Sequence, residues 1–159
     1  MDILFRTEDY VFSYRVAGIC IRNGKLLLQK PCNDSAFAFP GGHVSFGETN
    51  AETLAREFRE EIGADIAVRE LKWVGELFFP WGKKPCHQLC LYYAVELLSD
   101  SVPTDGMFPG TEQLEGRAFT MEYHWIPLEK LGEIEVYPTN AAALMSKIEG
   151  GTQHFIYRE

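Results

Sequence analysis

The chain has 159 residues, of which 46% are hydrophobic, and this suits one globular domain over residues 1–159 with a core of its own. The formal net charge of -8 argues against a polynucleotide partner, because such a surface repels nucleic-acid backbones. No apolar run approaches the ~20 residues of a membrane span, and the acidic start lacks the basic and apolar regions of a signal peptide, so we expect a cytoplasmic protein with no membrane partner.

The N-terminal part of the chain predicts strands joined by a tight hairpin. One apolar run extends from Val11 to Ile21, broken early by Arg15, and a second extends from Lys25 to Gln29. The Asn23-Gly24 pair between them is typical of a type I′ turn. The first ten residues predict a further strand, whose exposed edge could pair with a second copy to form a homodimer.

A glycine-rich turn follows at Pro40-Gly41-Gly42-His43-Val44. Glycine permits close backbone approach and positive φ, so such a turn can direct main-chain groups at a phosphate or a metal. His43 is interpreted either as an ordinary loop residue or as a residue that contacts phosphate.

The clearest local signals predict a helix from Asn50 to Ile62. Thr49 and Glu52 have the spacing of a capping box at its start. Gly63 suits the left-handed conformation that commonly ends a helix. The helix therefore has a defined start and a defined stop.

This helix presents an apolar face and an acidic face. At 3.6 residues per turn, its apolar residues share an arc of roughly 100°, and Glu57, Glu60 and Glu61 share a neighbouring arc. Like charges at i,i+4 oppose helix formation by a few tenths of a kcal/mol, so a positive partner is expected. Arg56 could pair with Glu60, but a divalent cation suits all three carboxylates better. The apolar residues are Ala51, Leu54, Ala55, Phe58 and Ile62.

Two long strands are predicted next, from Val68 to Pro80 and from His87 to Leu97, joined by a turn at Trp81–Pro85. Apolar residues on both faces of the second strand indicate a sheet that is covered on both sides. The aromatic residues that precede and end these elements could stack on a base or belong to the core; they are Phe37, Phe39, Phe79 and Trp81.

Cys86 and Cys90 have a spacing found in paired zinc ligands, but no second pair follows. Both would also lie on the same face of a predicted strand, because alternate residues of a strand share a face. We therefore interpret them as small core residues rather than zinc ligands.

The segment from Ser99 to Gly116 is polar and contains several prolines and glycines, so it predicts a long loop that is a functional lid or partly disordered. Its Glu112 and Glu115 are either additional metal ligands or bases, or ordinary surface charges. The remaining predicted elements are a strand from Phe119 to Ile126, a short helix at Pro127–Leu131, a helix from about Thr139 to Gly150, and a strand at His154–Tyr157.

The stretch from Gly42 to Ala64 resembles the Nudix box, the signature of the Nudix hydrolases. Gly42 is followed at the family's spacing by Glu48 and then by the run Arg56-Glu57-Phe58-Arg59-Glu60-Glu61-Ile62-Gly63. Every charged and glycine position of the box is met. Ala64 departs from it, since a larger aliphatic residue is usual there, but this position lies on the packing side.

The resemblance implies an α/β fold, a Nudix-like α/β/α sandwich with a mixed β-sheet between helices. It implies hydrolysis of a nucleoside diphosphate derivative, NDP-X, to a nucleoside monophosphate and P–X, by a water activated by Mg²⁺ or Mn²⁺. Glu57, Glu60 and Glu61 would be the metal ligands, and Arg56 would orient them. Gly41, Gly42 and Glu48 would form the phosphate-binding turn, in which Glu48 braces the loop and the main-chain oxygen of Gly41 also ligates the metal.

Several alternatives stay open. The general base is Glu57, Glu60 or a loop glutamate. A Nudix-fold nucleotide-binding or regulatory module without catalysis is the rival to an enzyme, and hydrolysis of RNA ends would require a basic groove. Pro80 has a spacing from the box found in some ADP-ribose pyrophosphatases, but a strand end also explains a proline. An ADP-ribose-type substrate and a nucleoside triphosphate are both compatible with the sequence.

Overall fold

Strands dominate the structure, a computed structural model that describes residues 1–159. The strands are β1 (Leu4–Arg6), β2 (Val11–Arg22), β3 (Lys25–Pro31), β4 (Phe37–Ala38), β5 (Gly41–His43), β6 (Ile66–Trp81), β7 (Lys84–Leu97), β8 (Met107–Leu114), β9 (Arg117–Pro127), β10 (Val136–Tyr137) and β11 (Gln153–Arg158). The helices are α1 (Asn50–Ile62), a 3₁₀ helix (Leu128–Glu133) and α2 (Ala141–Met145).

The sheet is mixed, with the central order β10-β4-β3-β2-β7-β6-β11. β2 and β7 run parallel, as do β6 and β11, whereas β6 and β7 form a long antiparallel pair. β5 pairs with β2, and β9 joins β8 to β3. The mixed sheet expected from the sequence is confirmed.

Two apolar clusters lie on opposite sides of the sheet. One contains Leu54 and Phe58 of α1, and the other contains Leu131 of the 3₁₀ helix and Leu144 of α2. Burial of an aliphatic or aromatic side chain contributes about 1.5–3 kcal/mol each. Helices therefore cover both faces of the sheet, as the predicted α/β sandwich requires.

Helix α1 begins and ends where the sequence predicts. The Thr49 side chain accepts a hydrogen bond from the main-chain NH of Glu52, and the Glu52 carboxylate accepts one from the NH of Thr49. Gly63 adopts φ 66°, the left-handed conformation that ends the helix. A capping side chain of this kind is worth about 1 kcal/mol, so the helix that carries the acidic residues is fixed at both ends.

The predicted hairpins are also confirmed. Asn23 and Gly24 both have positive φ, 52° and 73°, as a type I′ turn requires, and they join β2 to β3.

Cys86 and Cys90 are buried in β7, as expected for core residues. None of the chain's helices has the length and apolar character needed to cross a membrane.

The prediction of a loop from Ser99 to Gly116 is wrong for its second half. Residues Met107–Leu114 form β8, which pairs with β9 residue by residue. Pro109 is tolerated because β8 lies at an edge of the sheet. At Gly110 an added Cβ would lie 2.3 Å from the Tyr123 ring, so this glycine permits close packing rather than a turn.

The last helix is shorter than predicted. Helix α2 is confined to Ala141–Met145, and the chain continues to Gly150 in turns. The main-chain NH groups of Lys147, Ile148 and Gly150 donate to carbonyls three residues earlier, which is the pattern of tight turns rather than of an α-helix. The short helix predicted at Pro127 is the 3₁₀ helix, with Pro127 one position before it.

Candidate active site

A cavity of about 490 Å³ opens between α1, β2, β5 and the β8–β9 hairpin. Glu57 and Glu61 reach it from α1, Gly41 and Gly42 from β5, and Glu112 from β8. Other parts of its wall are aromatic. The cavity thus places the acidic face of the helix, the glycine pair and one glutamate of the β8–β9 hairpin around the same space.

Glu61 is held by a buried hydrogen bond. Its side chain is 6% exposed, and its Oε2 accepts a hydrogen bond of 2.8 Å from the hydroxyl of Tyr123. Its other oxygen, Oε1, is buried and has no partner. Buried carboxylate oxygens are normally satisfied, so Oε1 is free for a cation or another donor in the cavity.

The electrostatics of this pair disfavour two negative charges. Burial raises the pKa of Glu61 well above the usual range, and the neighbouring charge of Glu57 raises it further. Burial also raises the pKa of Glu57, although Arg56 opposes that shift. Two adjacent carboxyl groups with raised pKa values are costly to ionise together. A bound divalent cation would stabilise both charged forms, so this pair is a favourable place for one.

Arg56 joins the glutamates into a network. Its Nη1 lies 2.9 Å from Oε1 of Glu57 and 3.4 Å from Oε2 of Glu60. Its Nε and Nη2 donate to the two carboxylate oxygens of Glu48 at 2.9 and 3.0 Å, and Thr53 donates to the same carboxylate at 2.7 Å. These contacts are those that an orienting arginine and a bracing Glu48 require.

Glu60 occupies a different environment from its two neighbours. Its side chain is 52% exposed, it contacts Arg56, and it is absent from the cavity wall. The structure thus brings Glu57, Glu61 and Glu112 together in the cavity and leaves Glu60 outside its lining. Glu115 also lies outside, at the β8–β9 turn, where it forms an ion pair with Arg6.

The glycine pair forms strand β5 rather than a loop. Gly41 and Gly42 pair with Ala17 and Val16 of β2, and neither has positive φ. Both glycines allow close packing within the chain, since a Cβ at Gly42 would lie 2.4 Å from Cδ of Glu57, and one at Gly41 would lie 2.0 Å from the carbonyl oxygen of Val16. Any side chain here would displace Glu57 or the sheet.

His43 lies in β5 and lines the cavity. Its Nε2 is buried and has no partner. Burial, with the charge of Arg15, lowers the pKa of His43 to about 4, so the imidazole is neutral at pH 7. It can accept or donate a hydrogen bond in the cavity but brings no charge to it.

The aromatic candidates divide into two groups. Phe39, Phe79 and Trp81 line the cavity, whereas Phe37 packs edge-on against His124 at 5.0 Å and does not. Phe39 is also a core residue, since its ring packs edge-on against Trp73 at 5.3 Å. Phe79 and Trp81 are therefore better placed than Phe37 to contact a ring in the cavity.

The sequence did not predict two residues of the site, Tyr123 and Arg15. Tyr123 alternates with other buried residues in β9, and nothing local distinguishes it from a core tyrosine. Arg15 interrupts an apolar strand and lines the cavity. Burial opposes its charge, but neighbouring groups, including Cys90 and Glu112, raise its pKa. A charged residue within an apolar run was the signal that could have identified it.

The donor set fits a hard divalent cation, although no three His, Cys, Asp or Glu side chains already converge as a complete metal site. The unpartnered Oε1 of Glu61, the adjacent Glu57 and the facing Glu112 are all oxygen donors on one cavity. Mg²⁺ is commonly bound by one or two carboxylates, with water and phosphate supplying the remaining ligands.

The chain matches a known family and parts of several curated proteins. The family model described as NUDIX domain matches residues 13–147. An RNA pyrophosphohydrolase of Acinetobacter baylyi is 46% identical over 41 residues, which cover 26% of this chain and 25% of that protein. An ADP-ribose pyrophosphatase of Methanocaldococcus jannaschii is 42% identical over 59 residues, 35% of each chain. The chain thus spans about a quarter to a third of these curated relatives.

Solved structures show the same fold at low identity. A UDP-X diphosphatase aligns with a TM-score of 0.62 and 16% identity, over 90% of this chain and 66% of that one. A NUDIX hydrolase from Nitrosomonas europaea aligns with a TM-score of 0.61 and 20% identity, over 92% and 79% of the two chains. A MutT protein from Bacillus halodurans aligns with a TM-score of 0.59 and 18% identity, over 92% and 90%.

Proposed function

Because the chain belongs to the NUDIX family, we propose that it hydrolyses the diphosphate bond of a small nucleoside diphosphate derivative, NDP-X. The products would be a nucleoside monophosphate and P–X, and the attacking group would be water. The names of the relatives point to the same class of chemistry, one an ADP-ribose pyrophosphatase and another an RNA pyrophosphohydrolase.

One observation carries this proposal. Glu61 is fixed by Tyr123 yet retains a buried oxygen without a partner, and it lies in a cavity with Glu57 and Glu112. A solvated acidic helix face would have neither the burial nor the raised pKa values of this pair. The arrangement favours a cation site beside a nucleotide-sized cavity over an ordinary surface charge cluster.

We propose Mg²⁺ or Mn²⁺ as the cofactor, held by Glu57 and Glu61, with Glu60 and Glu112 as further candidate ligands. When bound, such a cation would neutralise charge on the diphosphate and lower the pKa of a bound water. The chain's own residues prepare the ligands for this, because Arg56 fixes Glu57 and Tyr123 fixes Glu61.

The remaining roles follow from position. Gly41 and Gly42 allow the substrate's phosphates to approach the main chain of β5, and Glu48 holds Arg56 from outside the cavity. Phe79 and Trp81 offer a surface for the base or for X. A carboxylate that accepts the proton of water typically contributes 10²–10⁴-fold to the rate, and Glu57, Glu60 and Glu112 are the candidates for this role.

A substrate panel tests the proposal. Release of nucleoside monophosphate is measured with ADP-ribose, UDP-glucose, a dinucleoside polyphosphate and ATP in the presence of Mg²⁺. We expect turnover of at least one substrate, and losses of about 10²-fold or more in Glu57→Gln and Glu61→Gln, consistent with a carboxylate role in a metal-assisted step. Glu60→Gln shows whether the exposed glutamate takes part.

The matched control is Glu70→Gln, which alters an exposed glutamate of β6 outside the cavity. Its activity should equal that of the wild type. No turnover of any panel member, or full activity in both Glu57→Gln and Glu61→Gln, would overturn the proposal. Tight nucleotide binding without turnover would instead identify a binding module.

A further inference from the structure

Arg15 is a cation that the protein leaves without a counter-ion. It lies on β2, opposite His43 of β5 and Cys90 of β7, and it lines the cavity. Its Nε is buried and has no hydrogen-bond partner. It takes part in none of the chain's ion pairs.

The hydrogen-bonding capacity of this side chain is not satisfied in the free protein. A guanidinium stays protonated and carries five N–H donors, and a buried donor without a partner loses its hydration without recovering it. The carboxyl groups of the cavity, Glu112 and Glu61 among them, favour the charge of Arg15 from a distance, but none comes within ion-pair distance to accept its hydrogen bonds. The structure therefore points to a partner that comes from outside the chain.

The cavity is otherwise strongly acidic. Seven Asp and Glu side chains line it, including Glu57, Glu61 and Glu112, and Arg15 is its one Lys or Arg side chain. A substrate phosphate would therefore enter a cavity whose charged side chains are mostly carboxylates. Only the position beside Arg15 offers an anion a cationic protein group.

We propose that Arg15 binds the diphosphate of the substrate, and that this lone cation restricts the cavity to a substrate with a single diphosphate bridge between uncharged groups. The inference rests on the proposed function and goes further by naming the anion-binding residue and the substrate class. A planar guanidinium can donate two parallel hydrogen bonds to two phosphate oxygens. The ammonium group of a lysine cannot donate in this paired geometry.

The position of Arg15 suits this role. Strand β5 pairs with β2 beside Arg15 and carries Gly41 and Gly42, which line the cavity, and Glu57 packs directly against Gly42. A diphosphate at this place would contact Arg15 on one side and approach the carboxylate pair on the other. A third phosphate would add charge with no further cation of the chain to receive it.

Equilibrium binding without metal tests the first part. In EDTA, calorimetry with ADP-ribose and UDP-glucose as probes reports contacts to the protein alone. Loss of a charge-assisted hydrogen-bonded contact should weaken the better-bound probe by about 10- to 100-fold in Arg15→Gln. Arg15→Lys should recover only part of the lost affinity, because it restores the positive charge but not the pair of parallel hydrogen bonds.

Arg22→Gln is the matched control. Arg22 lies on the same strand and also has a buried nitrogen without a partner, but it faces away from the cavity and contacts Asp100 at 3.7 Å. Probe binding should be unchanged in this variant. Thermal unfolding and Mn²⁺ titration of Arg15→Gln verify that the fold and the carboxylate pair are intact.

Steady-state kinetics provide the second arm. With Mg²⁺, Arg15→Gln should raise KM for the best diphosphate substrate by about tenfold or more with a smaller change in kcat, as expected when ground-state binding is lost. Wild-type kcat/KM should be at least about tenfold higher for a singly bridged substrate than for ATP.

The outcomes separate the two proposals. Unchanged binding and KM in a folded Arg15→Gln, no measurable probe binding by the wild type, or a preference for ATP would overturn the inference while Mg²⁺-dependent turnover could still stand. Arg15-dependent binding without turnover of any panel member would support the phosphate-binding role and overturn the proposed hydrolysis.

Discussion

At the residue scale, the site depends on a carboxylate that is held by one oxygen and left free at the other. Tyr123 donates to Oε2 of Glu61, and the tyrosine ring is itself fixed by stacking on Phe108 at 5.5 Å. Arg56 holds Glu57 in a similar way. Both carboxylates line the cavity with one oxygen held by a hydrogen bond, which reduces the entropy lost when a ligand binds.

Tyr123→Phe should weaken metal binding more than it weakens the fold. The ring and its stacking on Phe108 are kept, and only the hydroxyl that positions Glu61 is removed. A hydrogen bond to a charged group is worth about 1.5–3 kcal/mol, so we expect Mn²⁺ affinity, measured by titration, to fall about tenfold or more. Tyr10→Phe, at an exposed tyrosine, is the control. Equal affinity in both variants would contradict a positioning role for Tyr123.

His43 predicts a pH dependence of stability with a defined sign. Its pKa is lowered from 6.5 to about 4 in the folded protein by burial, so between these values the unfolded chain binds more protons. Stability then falls as the pH falls through this window, by an amount on the order of 1–2 kcal/mol after allowance for solvent screening. Denaturant unfolding at pH 7 and pH 4.5 measures it, and His43→Gln should show a smaller loss than the wild type.

At the element scale, helix α1 and hairpin β8–β9 differ in how far the sequence could predict them. Thr49, Glu52 and Gly63 specify the limits of α1 through contacts within a few residues, so local patterns were sufficient. Strand β8 contains Pro109 and Gly110, which locally indicate a loop. The strand accommodates Pro109 because it lies at an edge of the sheet, and Gly110 because it packs against Tyr123. Neighbouring residues in the sequence predict neither the edge position nor this packing.

Gly110→Ala should damage both stability and the site. Its Cβ would lie 2.3 Å from the Tyr123 ring and 2.9 Å from the main-chain oxygen of Glu61, so β8 or Tyr123 must shift. Overpacking of this kind costs about 1–3 kcal/mol. Denaturant unfolding should show this loss, and Gly132→Ala, where an added Cβ meets nothing within 4 Å, should be close to neutral. A fully stable Gly110→Ala would mean that β8 does not pack as described.

Glu112 and Glu115 provide a paired test on the same hairpin. Glu112 lines the cavity, whereas Glu115 lies at the turn and pairs with Arg6. Glu112→Gln should lower kcat/KM by about tenfold or more if its carboxylate acts on the metal or the water, and Glu115→Gln should leave kcat/KM unchanged. Equal effects of the two substitutions would remove Glu112 from the site.

At the scale of the whole molecule, the sheet assembles the cavity from distant parts of the chain. The spacing of Gly42, Glu48 and the Arg56–Glu61 run predicts the reaction class because these residues lie within one short stretch of the chain. Arg15 and Trp81 line the cavity from β2 and β6, and Tyr123 reaches Glu61 from β9, so only the strand order brings these three residues to one site. This is why the sequence predicts a reaction and a cation but does not predict the roles proposed for Arg15 and Tyr123.

The central claim is that water attacks phosphorus at the cavity with the help of the Glu57–Glu61 pair. Hydrolysis of the best panel substrate in ¹⁸O-labelled water, followed by mass spectrometry of the products, tests it directly. One labelled oxygen should appear in a phosphate product, only with Mg²⁺ or Mn²⁺, and the rate of labelling should fall by about 10²-fold or more in Glu61→Gln but stay unchanged in Glu70→Gln. Label in X rather than in phosphate, or incorporation at the wild-type rate in EDTA or in Glu61→Gln, would contradict the account.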